Sequence, residues 1–60
     1  MRLLSEYMSE DEKRVAKVFA KAEKEYVVIV RDDLGNHYNT MFTTMRIAED
    51  YAENWVTNYE

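Results

Sequence analysis

The residues best able to do chemistry in this sequence are a histidine and two aspartates grouped around one glycine. His37 is the only histidine, and Asp32 and Asp33 stand shortly before it. Two carboxylates and an imidazole can chelate a divalent cation, but the group lacks the ligand count of a calcium loop. Asp and Asn side chains beside a glycine are also typical of a tight turn, and this interpretation is favoured. We therefore expect no metal site and no cofactor.

A second pair of carboxylates, Asp50 and Glu53, stands one helical turn apart and could act as a general acid and base. A solvated acidic helix face explains the same pair and is the commoner arrangement. Neither group is accompanied by a nucleophile elbow or a phosphate-binding glycine loop. The sequence therefore predicts a protein with no catalytic residue and no enzymatic activity.

The composition restricts the class of protein further. The chain has 60 residues, 47% hydrophobic and 33% charged, with no cysteine, no proline and one glycine. This length allows one small domain, residues 1–60, and excludes nucleotide-binding α/β domains, barrels and kinase-like units. Without cysteine, disulfides and thiolate metal sites are excluded. No apolar run is long enough for a membrane span, so we expect a cytoplasmic protein without a membrane partner. A chain of this length buries little apolar surface and is only marginally stable on its own. This favours a module that is stabilised by binding a partner.

The elements that would position these residues begin with a helix over residues 10–24. Ser9 and Glu12 have the spacing of a capping box, in which each side chain bonds the other residue's backbone amide. Apolar residues then recur at three- and four-residue steps, as on one face of a helix. They are Val15, Val18, Phe19, Ala22 and Tyr26.

The hydrophobic period then changes, and two strands are predicted over residues 26–31 and 37–42. Gly35 can supply the positive φ that a short hairpin loop needs. Pairing Asp32 with Asn36 across the loop sets the register, and with it the two faces of the hairpin. One face carries the pairs Val30–Tyr38, Val28–Thr40 and Tyr26–Phe42. The outer face carries the pairs Arg31–His37, Ile29–Asn39 and Val27–Met41.

A second helix is predicted over residues 45–58. Thr43 and Thr44 can each act as its N-cap, and apolar residues follow at helical spacing. These residues are Ala48, Tyr51, Ala52, Trp55, Val56 and Tyr59. The predicted fold is therefore α+β, a helix–β-hairpin–helix with a two-stranded antiparallel sheet and both helices on one face. The expected core comprises Val15, Val18, Phe19, Ala22, Tyr26, Val28, Val30, Tyr38, Phe42, Ala48, Tyr51, Ala52 and Trp55.

Charge is divided unevenly along the chain, whose formal net charge is −4. Residues 1–31 carry seven basic and six acidic side chains, whereas residues 32–60 carry Arg46 against six acidic side chains. An acidic surface steers a chain toward basic partners and can mimic the backbone of a nucleic acid. Ordinary solubility charge is the alternative. The acidic residues expected at a partner surface are Asp32, Asp33, Glu49, Asp50 and Glu53.

The outer face of the hairpin is the sharper indication of a binding surface. Val27, Ile29 and Met41 are expected to remain in water there, because both helices cover the other face. A target protein or a second copy of the chain would cover them; alternatively, residues 1–8 fold back over them. A weaker alternative function is nucleic-acid binding through a lysine stripe on the first helix, which the interleaved acids disfavour. The stripe comprises Lys13, Lys17, Lys21 and Lys24.

Residues 42–55 lead from the second strand through a Thr-capped helix with repeated alanines and acids to a tryptophan. This pattern resembles the host RNA polymerase inhibitors of T7-like bacteriophages, and the size and acidity of the chain are similar to those of anti-CRISPR proteins. The resemblance covers about half of the chain. It implies a small phage-encoded inhibitor that binds a larger host protein, such as a nucleic-acid-processing enzyme. The alternative is a structural homodimer or assembly subunit without an inhibitory role.

Overall fold

The computed structural model describes residues 1–57 and shows a four-stranded antiparallel sheet with a helix on one side. The elements follow in chain order as β1 (Arg2–Met8), β2 (Val15–Ala22), β3 (Glu25–Arg31), β4 (His37–Phe42) and α1 (Met45–Thr57). Each strand pairs with its neighbour in sequence, so the sheet order is β1-β2-β3-β4. β1 and β4 therefore form the two edges of the sheet.

The predicted fold class is wrong in its first half. The order is β-β-β-β-α, and not helix–hairpin–helix with a two-stranded sheet, because residues 10–24 form β2 and its flanking loops instead of a helix. A short apolar run fits either period. Here β2 is a strand because it pairs on both sides, with β1 and with β3, and tertiary context overrides local propensity. Val15 and Phe19 then face one side of the sheet and Val18 the other.

Ser9 organises the loop between β1 and β2 instead of a helix start. Its hydroxyl donates to Asp11 Oδ1 at 2.6 Å and accepts from the Arg14 backbone amide at 3.0 Å. The Ser9 amide donates to the Arg14 carbonyl, and the Glu12 amide donates to the Ser9 carbonyl, both at 2.9 Å. Glu12 has a φ of 62°, which is outside the right-handed helical region. The predicted capping box is therefore wrong.

Residues 1–8, which the sequence assigns to no element, contain the edge strand β1. Leu4 and Tyr7 pack against the core beneath α1. The register shifts between Leu3 and Ser5, the kind of irregularity that a β-bulge produces. Because β1 extends the sheet beside β2, it does not fold over the outer face of the hairpin. The alternative in which residues 1–8 cover that face is wrong.

The predicted hairpin is confirmed in the structure as β3 and β4. All six predicted pairs are present, from Tyr26–Phe42 at one end to Arg31–His37 at the other. In the loop, the Asp32 amide donates to the Asn36 carbonyl at 3.1 Å, and the Gly35 amide donates to the Asp32 carbonyl at 3.2 Å. Gly35 has the expected positive φ, at 87°. The turn chemistry read from the sequence therefore sets the register of this half of the sheet.

The predicted C-terminal helix is also confirmed over Met45–Thr57. The Ala48 amide donates to the Thr44 carbonyl at 3.1 Å, which places Thr44 at the helix start. The predicted helix end at Asn58 and the apolar position Tyr59 lie outside the described residues.

The core lies between the sheet and α1 and is built from small side chains. Its buried members are Ala16, Val18, Val28, Val30, Ala48, Ala52 and Val56. Partly buried side chains surround them: Leu4, Tyr7, Tyr26, Phe42, Tyr51 and Trp55. The Phe42 and Tyr51 rings, with centroids 5.2 Å apart, join β4 to the helix. Among residues 1–57, the largest fully buried side chains are valines, so the hydrophobic layer is thin.

Four residues predicted for this core lie outside the cluster beneath α1, although Val15 is itself buried at 8% exposure. Val15 and Phe19 belong to the side of β2 opposite α1, because alternate strand residues face opposite sides. Ala22 is exposed at the end of β2. Tyr38 faces the helix side but is half-exposed on the edge strand β4.

Candidate protein-binding surface

One face of the sheet is left uncovered by α1 among the described residues, and we call it the open face. Val18 and Val28 pack beneath α1. Because side chains alternate along a strand, their neighbours in sequence point to the other side. The strand register arranges these outward side chains in three rows that each cross all four strands.

The first row is apolar across the whole width of the sheet. Leu3 pairs with Phe19, Phe19 with Val27, and Val27 with Met41. We call these four residues the apolar row. Its end members, Leu3 and Met41, are 48% and 55% exposed, whereas Val27 is 9% exposed. The expectation that Val27 remains in water is therefore wrong. With strands about 4.8 Å apart, the row extends for about 14 Å.

The middle row is mixed in character. Glu6 pairs with Lys17, Lys17 with Ile29, and Ile29 with Asn39. The Lys17 ammonium lies 3.8 Å from Glu6 Oε2, and both side chains are about half-exposed. A surface ion pair of this kind contributes little to stability. The pair places one positive and one negative charge beside the apolar row.

The third row combines apolar and basic side chains. Met8 pairs with Val15, Val15 with Arg31, and Arg31 with His37. A depression of about 210 Å³ lies between this row and the middle row. The open face therefore changes from apolar at the first row to basic at the third.

Two charged residues border the apolar row on its other side. Lys21, at the irregularity where β2 ends, lines a second depression together with Val27 and Met41. Glu25, at the start of β3, stands two residues before Val27 and so shares its face. The apolar row therefore has polar groups on both flanks.

The structure brings the three predicted apolar residues together. Val27 and Met41 are neighbours in the apolar row, and Ile29 follows Val27 on the same face of β3. Sequence reasoning misses Leu3 and Phe19, which complete the row. It assigns Phe19 to a helix stripe and Leu3 to no element.

One signal in the sequence could have found the missing half. Val15, Lys17 and Phe19 alternate with Ala16 and Val18, which is the period of a strand that is apolar on both faces. The same residues also satisfy a helical stripe, so the signal depends on recognising a pairing partner for the segment.

The predicted acidic residues do not join the apolar ones in a single surface. Asp50 and Glu53 are exposed on α1, which packs on the opposite side of the sheet from the open face. Asp32 and Asp33 lie in the turn between β3 and β4. The acidic residues therefore form two groups, neither of which lies on the open face.

Glu49 has a structural contact that the sequence does not reveal. Its Oε2 accepts a hydrogen bond of 2.6 Å from the Ser5 hydroxyl of β1. Bonds from a hydroxyl to a charged carboxylate are among the stronger hydrogen bonds. Glu49 therefore ties α1 to the edge strand, in contrast to the exposed Asp50.

Asp32 is held by the turn that it begins. Desolvation raises the pKa of Asp32, but hydrogen bonds from the backbone and side chain of Asn36 and the amide of Leu34, helped by the charge of Arg14, lower it below its ordinary value overall. The three hydrogen bonds measure 2.9, 3.3 and 2.9 Å. The role of this carboxylate is to stabilise the turn in its ionised form.

The lysines predicted as a helical stripe are distributed over several elements. Lys13 lies in the loop before β2, Lys17 and Lys21 lie along β2, and Lys24 lies in the turn after it with a φ of 58°. The helical stripe is therefore wrong, although Lys17 and Lys21 share the open face.

The described residues hold no group of three or more His, Cys, Asp or Glu side chains arranged to bind a metal ion. His37 belongs to the open face, whereas Asp32 and Asp33 lie in the turn. Within residues 1–57, no helix combines the length and apolar character that crossing a membrane requires.

Comparison of the chain with protein families, with curated proteins and with solved structures finds no match.

Proposed function

We propose that this chain is a non-enzymatic protein-binding module that contacts its partner through the open face. The observation that carries the proposal is the apolar row, which α1 does not cover and which continues across all four strands with exposed residues, Leu3 and Met41, at its two ends. A contiguous apolar patch of this kind marks an interaction site on a small protein. Each Å² of apolar surface removed from water contributes about 25 cal/mol, so covering the row favours association.

The side chains of the row favour a protein partner over a nucleic acid. Single-stranded nucleic acids are bound by exposed aromatic rings on which bases stack, interleaved with basic residues. Phe19 is the one aromatic residue in the row, and it lies between the aliphatic Leu3 and Val27. Aliphatic side chains offer no stacking platform, whereas they pack well against the apolar core of a protein interface.

We also propose, from the resemblance to phage inhibitors, that the larger partner is a cytoplasmic host protein whose activity is blocked by the contact. The exposed acids Asp50 and Glu53 would attract a basic partner over a distance, and the apolar row would supply the close contact. Because these acids lie on the side of the sheet opposite the open face, they would raise the rate of encounter through the net charge of −4 and would not enter the contact.

The test uses a variant in which the two exposed ends of the apolar row are made polar, Leu3→Ser with Met41→Ser. A tagged chain is co-expressed with an untagged copy in a bacterial host, and every captured protein is identified by mass spectrometry. We expect the variant to lose a protein that the wild-type chain captures, whether a host protein or the untagged copy.

The matched control is Met45→Ser with Ile47→Ser, which alters two apolar side chains of similar exposure, 44% and 54%, on α1. The control should capture the same proteins as the wild-type chain. If the open-face variant and the control capture identical sets, the open face is not the binding surface and the proposal is wrong.

A further inference from the structure

We propose that the open face packs against the open face of a second copy of this chain, about a two-fold axis parallel to the strands and located between β2 and β3. The inference rests on the proposed function, because it names the occupant of the open face when no host protein is bound; a host protein would take the place of the second copy. Two sheets packed in this way form a sandwich with layers about 10 Å apart. About this axis, β1 of one copy lies over β4 of the other, and β2 lies over β3.

The apolar row is complementary to itself about this axis. Reversal of the strand order places Leu3 over Met41 of the second copy and Phe19 over Val27 of the second copy, and each contact occurs twice. Leu3 and Met41, the most exposed members of the row, therefore cover each other. The contact between the rows buries no charged side chain.

The charges beside the row are also compatible with this axis. Lys21 at the end of β2 comes to lie opposite Glu25 at the start of β3 of the second copy, so opposite charges meet twice. Lys17 lies over Ile29 of the second copy and keeps its own ion pair with Glu6. The arrangement therefore places no lysine against a lysine.

A two-fold axis perpendicular to the strands is disfavoured by the same charges. It would stack the middle row on itself, with Lys17 facing Lys17 and Glu6 facing Glu6. Like charges brought together across an interface are unfavourable. The distribution of charge thus selects the axis parallel to the strands.

The size of the open face sets the expected affinity of one copy for the other. Four strands about 4.8 Å apart and three rows about 7 Å apart give a footprint of roughly 20 by 20 Å per copy. Counted over both copies this is about 800 Å², which is below the roughly 1,200–2,000 Å² of stable interfaces and typical of a weak, transient one. We therefore expect a reversible dimer with a Kd in about the micromolar range. The second sheet would also add a hydrophobic layer on the side opposite α1, in a protein whose largest fully buried side chains among residues 1–57 are valines.

The first experiment is sedimentation equilibrium of the wild-type chain from about 1 µM to about 1 mM, a range that brackets the expected Kd. We expect the mass to rise from the monomer value of 7.2 kDa to twice that value. Leu3→Glu should weaken dimerisation at least tenfold, and so should Met41→Lys, because each places a charge in the apolar contact. Met45→Glu on α1 is the matched control and should dimerise like the wild-type chain.

Mixing the two weakened variants tests the axis. In a mixed dimer, Glu at position 3 of one copy faces Lys at position 41 of the other, while the second Leu3–Met41 contact stays intact. The mixture should therefore dimerise more strongly than either variant alone. Circular dichroism of each variant establishes that it is folded, so that lost association is not mistaken for unfolding.

Cross-linking independently measures which strands of the two copies lie close together. The chain has no native cysteine, so only an introduced cysteine can react. Leu3→Cys and Met41→Cys chains, mixed and treated with a short bismaleimide, should give a covalent dimer that contains one copy of each. Leu3→Cys alone should give none, because β1 of one copy lies far from β1 of the other.

A wild-type mass that stays at 7.2 kDa throughout the range would overturn the second-copy inference. So would efficient cross-linking of Leu3→Cys to itself. The proposed function would still stand in either case if the Leu3→Ser and Met41→Ser variant loses a host protein that the wild-type chain captures.

Discussion

The guanidinium carbon of Arg14 lies 4.0 Å from the centre of the Trp55 ring. Arg14 precedes β2, and Trp55 is in the last turns of α1, so this contact joins the β1–β2 loop to the helix. The Arg14 backbone also exchanges hydrogen bonds with Ser9 in the same loop. One residue therefore connects the loop, the sheet and the helix.

Replacing Arg14 with Met should destabilise the fold by about 1–2 kcal/mol, because a partly buried cation–π contact is lost while the apolar stem is kept. Urea unfolding followed by circular dichroism measures the change. Lys13→Met is the matched control, since Lys13 is an exposed neighbour, and its effect should stay within about 0.5 kcal/mol. Equal effects of the two changes would mean that the contact with Trp55 is not stabilising.

Ser9→Ala should cost about 1–2 kcal/mol, because Ser9 is buried and its hydroxyl satisfies the Arg14 amide. The sequence predicts a loss of the same sign from a helix cap, so the loss alone does not separate the two explanations. A substitution at Glu12 separates the two explanations. Because the φ of Glu12 is positive in the loop, Glu12→Gly should raise the midpoint of thermal unfolding. A lower midpoint for Glu12→Gly would contradict the loop conformation.

Gly35→Val should destabilise the β3–β4 turn by about 1 kcal/mol or more. Among residues 1–57, no heavy atom beyond the two chain neighbours of Gly35 lies within 4 Å of an added Cβ, so the cost comes from the φ of 87° and not from a clash. Gly35→Asn should cost less, because asparagine tolerates the left-handed region better than a β-branched residue. Thermal unfolding of both variants gives the comparison, and equal midpoints for the two would contradict the backbone explanation.

Acid should weaken the same turn through Asp32. Its pKa is lowered in the folded state, so the stabilisation is complete above the unfolded-state pKa of about 3.9 and is lost as pH falls through the lower folded-state value. The midpoint of thermal unfolding of the wild-type chain should exceed that of Asp32→Asn at neutral pH and approach it as pH falls below the lowered folded-state pKa. Asp33→Asn, one residue further along the turn, controls for the general loss of a negative charge.

Reversing Asp50 and Glu53 to Lys should leave the fold intact, since both side chains are exposed on α1. Association with a basic partner should slow, and its dependence on salt should weaken, because long-range steering is removed. Glu49 is best left unchanged because it accepts a hydrogen bond from Ser5. Stopped-flow or surface-based kinetics at two salt concentrations measure the effect, and unchanged rates would exclude a steering role.

The β3–β4 hairpin and α1 could be predicted because their signals are local. Gly35 and Asp32 define a turn within a few residues, and the alternation on either side needs no distant partner. Thr44 and the helical spacing after it define α1 in the same way. Two of the three apolar residues predicted for the binding surface follow directly from this hairpin register, as Val27 and Met41 in the apolar row.

The first half of the fold could not be predicted, because its signals are ambiguous until the strands pair. Val15, Val18 and Phe19 satisfy both a helical stripe and a strand that is apolar on its two faces. The segment forms a strand and not a helix because it pairs with β1 on one side and with β3 on the other. The sequence of β1 carries no distinct local signal that would predict this pairing. The spacing of Ser9 and Glu12 strengthened the wrong choice, since it matches a capping box. Leu3 and Phe19 were lost from the binding surface for this reason.

The nearest-neighbour strand order has a consequence for how quickly the chain folds. Every strand pairs with the one before it, so no pairing requires the closure of a long loop. Chains dominated by such local pairings cross their folding barrier quickly, and we expect folding on the order of milliseconds. The helix contacts all four strands, so it completes its packing only when the sheet has assembled. A chain that folds this fast leaves its interior strands, β2 and β3, unpaired and open to aggregation only briefly.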